Sequence, residues 1–429
     1  MLGCATRVCD GIRSSARRWS LTRALRAMPE DADIVVVGAG PAGATSAILL
    51  ARLGYHVVLI DRQHFPRPKP CGEYMSPGVE ETMRRLGLFS AFRQTPPRHV
   101  PGMRIIAPSG LPLELRYQRL GNTCPAITID RITLDAQLVG LARESGVEVR
   151  EGMRVRAPLI ENRTVTGVAA VSGDREVTLR SRLVIGADGS RSVLARALGL
   201  ARPAHWPVRL GLMAHYREQE TAPFALGEMH VSAGGYCGIA PLPGGRLNVA
   251  MVVREDALRR ERVRVATFFD RWIESQPRLR GALAGSERLT PIRGIGPIGS
   301  RIQRAWYPGL MLVGDAAGFF DPFTGEGIFR GLNGAEMVAD VAHLALRRGD
   351  VGERQLARYQ KMRRERFSHK QAVTTLVQLF VRYPLLLHYA LPRLAARPGP
   401  YGALAGALGD VADAREFLRP AVLVSAFLP

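Results

Sequence analysis

Short apolar runs alternate with alanine-rich or amphipathic stretches along this chain, and the first alternation is the most informative. Residues 33–37 are an apolar run entering a glycine turn, residues 42–53 are rich in alanine and leucine, and residues 56–60 are a second β-rich run ending at Asp61. Strand, turn, helix and strand follow from that order. They make a βαβ unit of about thirty residues, the size a parallel crossover needs. Proline and glycine then punctuate short alternating segments over residues 100–115 and 208–253, which predicts antiparallel strands instead of further crossovers. Between them, residues 130–145 read as a helix, and residues 148–155, 165–171, 177–179 and 183–186 as strands returning to the first unit. Residues 310–313 form another strand, followed by a glycine-rich turn and a helix over residues 331–347.

The predicted fold is therefore α/β: a Rossmann-like nucleotide domain with a mixed parallel sheet, an α+β second domain built on an antiparallel sheet, and a helical C-terminal region. The nucleotide domain is discontinuous, at 31–100, 126–200 and 300–350. The second domain takes 101–125 and 201–299, and the helices take 351–429. Residues 376–392 are strongly apolar, but Arg382, Pro384 and His388 interrupt them short of the roughly 20 residues a spanning helix needs. A buried or membrane-resting helix is expected there. A second apolar stretch at 417–428 makes peripheral contact with a lipid phase an alternative to ordinary core packing.

Composition changes this picture little. Across 429 residues the net charge is +21, yet only Lys69, Lys361 and Lys370 are lysines and the arginines are scattered. A nucleic-acid surface needs clustered cations with interleaved aromatics, so no nucleic-acid partner is expected. Cysteines at 4, 9, 71, 124 and 237 lack the paired spacings of metal sites, and their odd number argues against a disulfide framework. No metal is expected, and a reducing cytoplasm fits. Residues 1–30 form a basic extension expected to be disordered. Up to Met28 it holds six arginines and one acid, reading as a leader, a tail or mis-called coding sequence, with a dispensable or mis-called extension favoured. Arg17-Arg18 has the look of a twin-arginine signal, but no usable apolar stretch follows, so export is not expected.

Candidate chemistry starts at Gly38-Ala39-Gly40-Pro41-Ala42-Gly43, between a predicted strand and a predicted helix. Gly38 permits the tight turn, Gly40 lets backbone approach a pyrophosphate, and Gly43 lets helix and strand pack closely. The helix N-terminus adds oriented N–H groups and partial positive charge. Asp61, closing the second strand, is placed to accept from ribose hydroxyls, with Arg62 beside it as a further cofactor-binding candidate.

Two later segments carry a resemblance. Val184-Ile185-Gly186-Ala187-Asp188-Gly189-Ser190-Arg191-Ser192 resembles the mid-chain motif of the aromatic-hydroxylase (p-hydroxybenzoate hydroxylase-like) and geranylgeranyl-reductase flavoprotein superfamily. Leu312-Val313-Gly314-Asp315-Ala316-Ala317-Gly318, with Pro322 and Gly325-Glu326-Gly327, resembles its third motif. Motif order and spacing match from residue 33 to 347. The resemblance implies FAD, with Asp188, Gly314, Asp315, Gly325 and Gly327 around it and Asp315 on the ribityl chain. The helix beyond Gly327 would aim its dipole at the flavin pyrimidine edge, favouring reduction. Arg131 sits where relatives place an arginine over the FAD phosphates, the alternative being a surface arginine.

Pro68-Lys69-Pro70-Cys71-Gly72-Glu73 resembles the Lys-x-Cys-Gly loop of geranylgeranyl reductases, in which the cysteine lies by the flavin. Cys71 could pack, donate weakly or be redox-active, and Glu73 could donate or relay a proton. Tyr236-Cys237-Gly238-Ile239-Ala240-Pro241 is similar to the Tyr-x-Trp-x-Phe-Pro wall of the prenyl cavity, but Gly238 and Ala240 replace its tryptophan and phenylalanine. A wider, less aromatic wall follows, which puts a geranylgeranyl substrate in question. Tyr236 is either a substrate-contacting catalytic candidate or a strand residue packing on the core.

The function implied is reduction of a C=C bond in an apolar, isoprenoid or polyketide-like small molecule by hydride from reduced FAD. Hydroxylation through oxygen activated at the flavin is the alternative within the superfamily, and a non-catalytic FAD-containing binding module is the alternative of another class. NAD(P)H has no second glycine fingerprint here, so it enters as a transient electron donor or another reductant replaces it. The halogenase Trp-x-Trp-x-Ile-Pro motif and catalytic lysine are not found, and a cysteine-cluster quinone oxidoreductase is excluded because the C-terminal third has no cysteine.

Overall fold

The computed structural model describes residues 31–119, 121–202, 208–319 and 321–427. The basic extension, with Cys4, Cys9 and Met28, lies outside these residues.

The first apolar run becomes the strand Ala32–Val37, fully buried at Ile34, Val35 and Val36 in a core shared with the helices and with Val155, Val165 and Val168 of neighbouring strands. It pairs in parallel with Val57–Ile60 on one side and with the end of Arg175–Gly186 on the other. Glu148–Arg150 extends the sheet beyond Val57–Ile60, and Leu310–Leu312 pairs in parallel with residues 184–186. The expected strands at 177–179 and 183–186 are one continuous strand. Its first half pairs antiparallel with Thr164–Ser172, which returns from Met153–Glu161. Helices Pro41–Arg52, Arg131–Glu144 and Gly327–Arg348 pack together over this core. The last begins at Gly327, four residues before the sequence reading placed it.

A second sheet of seven strands runs in the order Arg293–Ile298, Arg209–Arg217, Arg246–Arg254, Gly235–Leu242, Gly227–Ser232, Gly102–Ile106, Pro112–Arg116. Every pairing is antiparallel except that of Gly227–Ser232 with Gly102–Ile106, which is parallel. That exception is the seam where a segment from early in the chain joins one from much later. One face packs Leu212, Ala214, Cys237 and Val249 under the helix Val265–Glu274, through Phe268 and Phe269. Sequence reading had not singled out that helix. The other face carries Met229, Tyr236 and Val252 toward the C-terminal helices.

The apolar segment at 376–392 is two helices, not one. Glu353–Arg382 stops at Tyr383, and Pro384 opens Pro384–Ala395, since proline has no N–H to continue the first ladder but suits a helix start. No described helix is long and apolar enough to cross a membrane.

Candidate active site

At the glycine turn the backbone has no room for a side chain. Gly38 sits at φ +101°, and a Cβ there would stand 2.4 Å from the Ala187 carbonyl oxygen. A Cβ on Gly43 would stand 1.8 Å from the Gly38 carbonyl oxygen. These contacts bring helix, first strand and the Ala187 turn together. By contrast, a Cβ on Gly40 would meet only an Arg67 guanidinium nitrogen at 4.0 Å, and nothing lies within 4 Å of one on Gly189 or Gly327. The chain is tight behind the turn and open in front of it.

Around that opening stand charged groups. Asp61 accepts from the Ala39 N–H at 2.8 Å and the Gln63 N–H at 2.9 Å, one on each carboxylate oxygen, and each oxygen keeps a lone pair for a ribose hydroxyl. Arg62 is exposed, and Arg67, five residues on, lies beside Asp61 at 3.9 Å and Asp135 at 3.1 Å. Arg131 is buried and forms two parallel bonds to Asp135, both 2.8 Å. Burial alone would lower its pKa, but Asp135 and the neighbouring Cys71 outweigh that and hold it above the ordinary arginine value. Arg131 is thus not a surface arginine. Lys69 lines the same cavity, where burial and then Arg131 press its pKa down against the pull of Asp315 and Asp135.

Asp188 accepts from the Val193 N–H at 2.7 Å through one oxygen, while the other is buried without a partner. Burial pushes its carboxyl upward against the Ser192 and Val193 hydrogen bonds. The Arg67 Nε is likewise buried and unpartnered. Asp315 sits in the short 3-10 turn Gly314–Ala317, and it lines the cavity with Gly325, Gly327 and Ile328 at the start of the Gly327–Arg348 helix. Open glycine faces, an unsatisfied acceptor, an unsatisfied guanidinium N–H and a helix N-terminus together fit FAD, an anionic dinucleotide rich in hydroxyls.

Next to these segments the cavity turns apolar, walled by Met213, Met229, Met251, Val252, Ile298, Phe319 and Phe323. Gly238 and Ala240 both line it. A Cβ at Gly238 would meet the Met229 methyl at 3.4 Å and the Ala250 and Glu228 carbonyl oxygens at 3.8 Å, all ordinary contacts, so a small side chain could stand there without a clash.

Glu73 and Tyr236 are both at the cavity, but each is heavily engaged. Glu73, at φ +55°, accepts from the Arg131 N–H at 2.8 Å on one oxygen. Its other oxygen takes the Asn248 amide at 2.8 Å and stands 2.7 Å from His215 Nε2. Asn248 also donates to the Cys71 carbonyl at 3.0 Å, so this carboxylate ties the Cys71 loop to the sheet and to the Arg131 helix. Cys71 itself is half-buried in the cavity wall. Tyr236 donates to Asp321 at 2.6 Å and meets Phe323 edge-on at 5.0 Å. Asp321 also accepts from Gln378 at 2.7 Å and the Phe323 N–H at 2.9 Å, and pairs with Arg209 at 2.7 Å. Burial raises the Asp321 pKa against Arg209, and burial then Asp321 lift Tyr236 well above the ordinary phenol value.

The sequence reading missed Arg67, His215, Asn248, Arg209, Asp321 and Gln378. Asp321 had one local signal, its place beside Pro322 in the third motif. Arg67 lies in the loop five residues after Asp61, while His215, Asn248, Arg209 and Gln378 come from distant strands and a helix and had no signal.

Known proteins place this geometry. A digeranylgeranylglycerophospholipid reductase of Methanococcoides burtonii is 29% identical over 358 residues, covering 82% of this chain and 84% of that one. Menaquinone reductase of Mycolicibacterium smegmatis is 31% identical over 319 residues, covering 72% and 76%. The solved structure of flavin-dependent brominase Bmp2 shares the fold with TM-score 0.78 at 21% identity, covering 91% and 98%. Fold and site together define an FAD-dependent oxidoreductase. The chain belongs to the FAD binding domain family, which matches residues 31–374. One fold serves reductases and a brominase, so the reaction must be argued from the cavity.

Proposed function

We propose that the protein reduces a C=C bond in an apolar, isoprenoid-type substrate. The observation that carries this is the methionine- and aliphatic-lined cavity running directly from the flavin segments. Two of the similar proteins carry the names of a digeranylgeranyl lipid reductase and a menaquinone reductase, and both named compounds bear polyprenyl chains. Gly238 and Ala240 line this cavity in place of larger aromatic side chains, which suits a ring-bearing or branched substrate better than a bare linear chain.

FAD held by these segments would, once reduced, supply hydride chemistry toward one alkene carbon, and a proton must reach the other. Tyr236 carries the hydroxyl on the apolar wall, and Asp321, accepting that O–H with Arg209 behind it, fixes its orientation. Cys71, against Arg131 by the flavin segments, is the second donor candidate. Glu73 serves differently in this reading. With one oxygen on the Arg131 N–H and the other shared by the Asn248 amide and His215, it anchors the Cys71 loop instead of releasing a proton. Asp61, Asp188 and Asp315 take the cofactor's hydroxyls, while the glycine turn, Arg67 and Arg131 face its phosphates.

The test is incubation under nitrogen with dithionite-reduced enzyme and menaquinone or a geranylgeranyl lipid, followed by mass spectrometry. Gain of two hydrogens in the side chain supports the proposal. Gain of an oxygen atom only when air is admitted sinks it in favour of hydroxylation. A protein that keeps FAD but never turns over either class is the non-catalytic module.

A further inference from the structure

The outer side of the C-terminal helices carries a patch that the cavity chemistry does not use. Of eleven large apolar side chains exposed among the described residues, six lie here: Leu379, Tyr383, Leu385, Leu386, Tyr389 and Val424. Leu385, at the start of Pro384–Ala395, is 85% exposed. The helices that carry them, Glu353–Arg382, Pro384–Ala395 and Pro420–Phe427, pack against one another, with the Tyr389 hydroxyl donating to the Phe427 carbonyl at 2.7 Å and Phe427 stacked on Phe380 at 5.1 Å. Soluble monomers rarely leave apolar side chains gathered in this way.

Charge decides what covers them. No aspartate or glutamate occurs from Gln371 to Gly409, while Arg382, Arg393, Arg397 and His388 do. The Arg382 and Arg393 guanidiniums lie over the rings of Tyr383 and Tyr389, at 5.6 and 3.5 Å. A second copy of this chain docked by twofold symmetry would set these arginines against their own kind. An anionic bilayer satisfies both halves of the patch, since its acyl boundary takes leucines and tyrosines and its phosphates take arginines.

We propose that this face docks the protein on an anionic lipid surface, with Leu385 and Leu386 at the acyl boundary and Arg382 and Arg393 on lipid phosphates. The inner side of the same helices packs against Tyr236 and Phe323, two residues of the cavity wall, so docking brings an apolar cavity next to a lipid phase. The inference stands without the substrate reading, because vesicle binding needs no turnover.

The experiment is co-sedimentation of the FAD-loaded full chain with vesicles of phosphatidylcholine alone and of phosphatidylcholine mixed with phosphatidylglycerol. Binding to the mixed vesicles only is expected. Leu385→Glu should weaken it more than about tenfold, and Arg382→Gln with Arg393→Gln about thirtyfold, at one lipid-bound arginine per roughly fivefold. Flavin absorbance and melting temperature should stay at the wild-type level in both variants, which separates lost docking from lost folding. Wild-type protein left in the supernatant, equal binding to both vesicle types, or variants that bind as well as wild type would each overturn the proposal. So would a wild-type dimer in light scattering that Leu385→Glu converts to monomer, which would assign the patch to a second copy.

Discussion

Around the glycine turn the protein presents backbone, and on the cavity floor it presents side chains. At the turn, Gly38 and Gly43 bring main chain within van der Waals contact of main chain, and the Asp61 carboxylate binds backbone N–H groups. At the floor, Tyr236, Asp321, Arg209 and Gln378 meet through side-chain atoms contributed by two strands, a loop and a C-terminal helix. Glu73 stands between the two regimes, holding a loop near the flavin segments through the backbone N–H of Arg131 and the side chains of Asn248 and His215. A backbone site tolerates almost no added atom but much change elsewhere. A side-chain network tolerates added volume better than the loss of one member, because the remaining buried partners are left unsatisfied.

That contrast can be broken at each level, beginning with the largest effect. Gly43→Ala puts a methyl 1.8 Å from the Gly38 carbonyl oxygen, so helix and strand must part. A loss of about 3 kcal/mol or more and near-absence of bound flavin are expected. A purified variant with full flavin absorbance would show that the turn is less tight than described.

Asp321→Asn comes next, since it leaves the Arg209 charge facing a neutral amide and disrupts the donors from Tyr236 and Gln378. About 3 kcal/mol of unfolding free energy should disappear in denaturant titration, with turnover falling as well and flavin content retained. Loss of flavin instead would place Asp321 in the cofactor site.

Glu73→Gln should cost about 1–3 kcal/mol, because the oxygen that accepts from Asn248 beside His215, or the one that accepts from the Arg131 N–H, is replaced by an NH2. Its decisive readout is the pairing of melting temperature with rate. An anchor loses both together, whereas an unchanged melting temperature with turnover down by a hundredfold would make Glu73 the proton donor.

The smallest effect belongs to Asp130, which caps the Arg131–Glu144 helix through the Thr133 N–H and pairs with Arg246 at 2.7 Å. Burial would raise its pKa, but the Thr133 and Arg246 interactions outweigh it and hold the carboxyl below the ordinary value of 3.8. A depressed acid stabilises the fold above its unfolded pKa and loses that contribution as pH falls through the lower folded value. Asp130→Asn keeps the cap and loses the ion pair. About 0.5 kcal/mol is expected at neutral pH, discounted because Arg246 is over a third exposed, and the gap should close below pH 3.8. A gap that persists in acid would trace the effect to the cap.

The glycine turn, the Asp188 and Asp315 segments and the α/β class with its second sheet were legible in the sequence. Each is set by a short run in which residue type dictates backbone shape: glycine where a Cβ cannot fit, aliphatic runs where both sheet faces are covered, an acid at a strand end. Pro384 likewise divides the C-terminal apolar stretch, though reading it as one helix missed where proline would start the second. What only the tertiary structure decided is who meets whom. Arg67 instead of Arg62 lies beside Asp61, and Glu73 finds His215 and Asn248 more than a hundred residues away. Tyr236 turns its hydroxyl to Asp321 and the third sequence segment behind it. Such partners leave no spacing or periodicity in the chain, because they are chosen by the crossing of strands and helices whose local sequences are compatible with many neighbours, and only the packed core selects one.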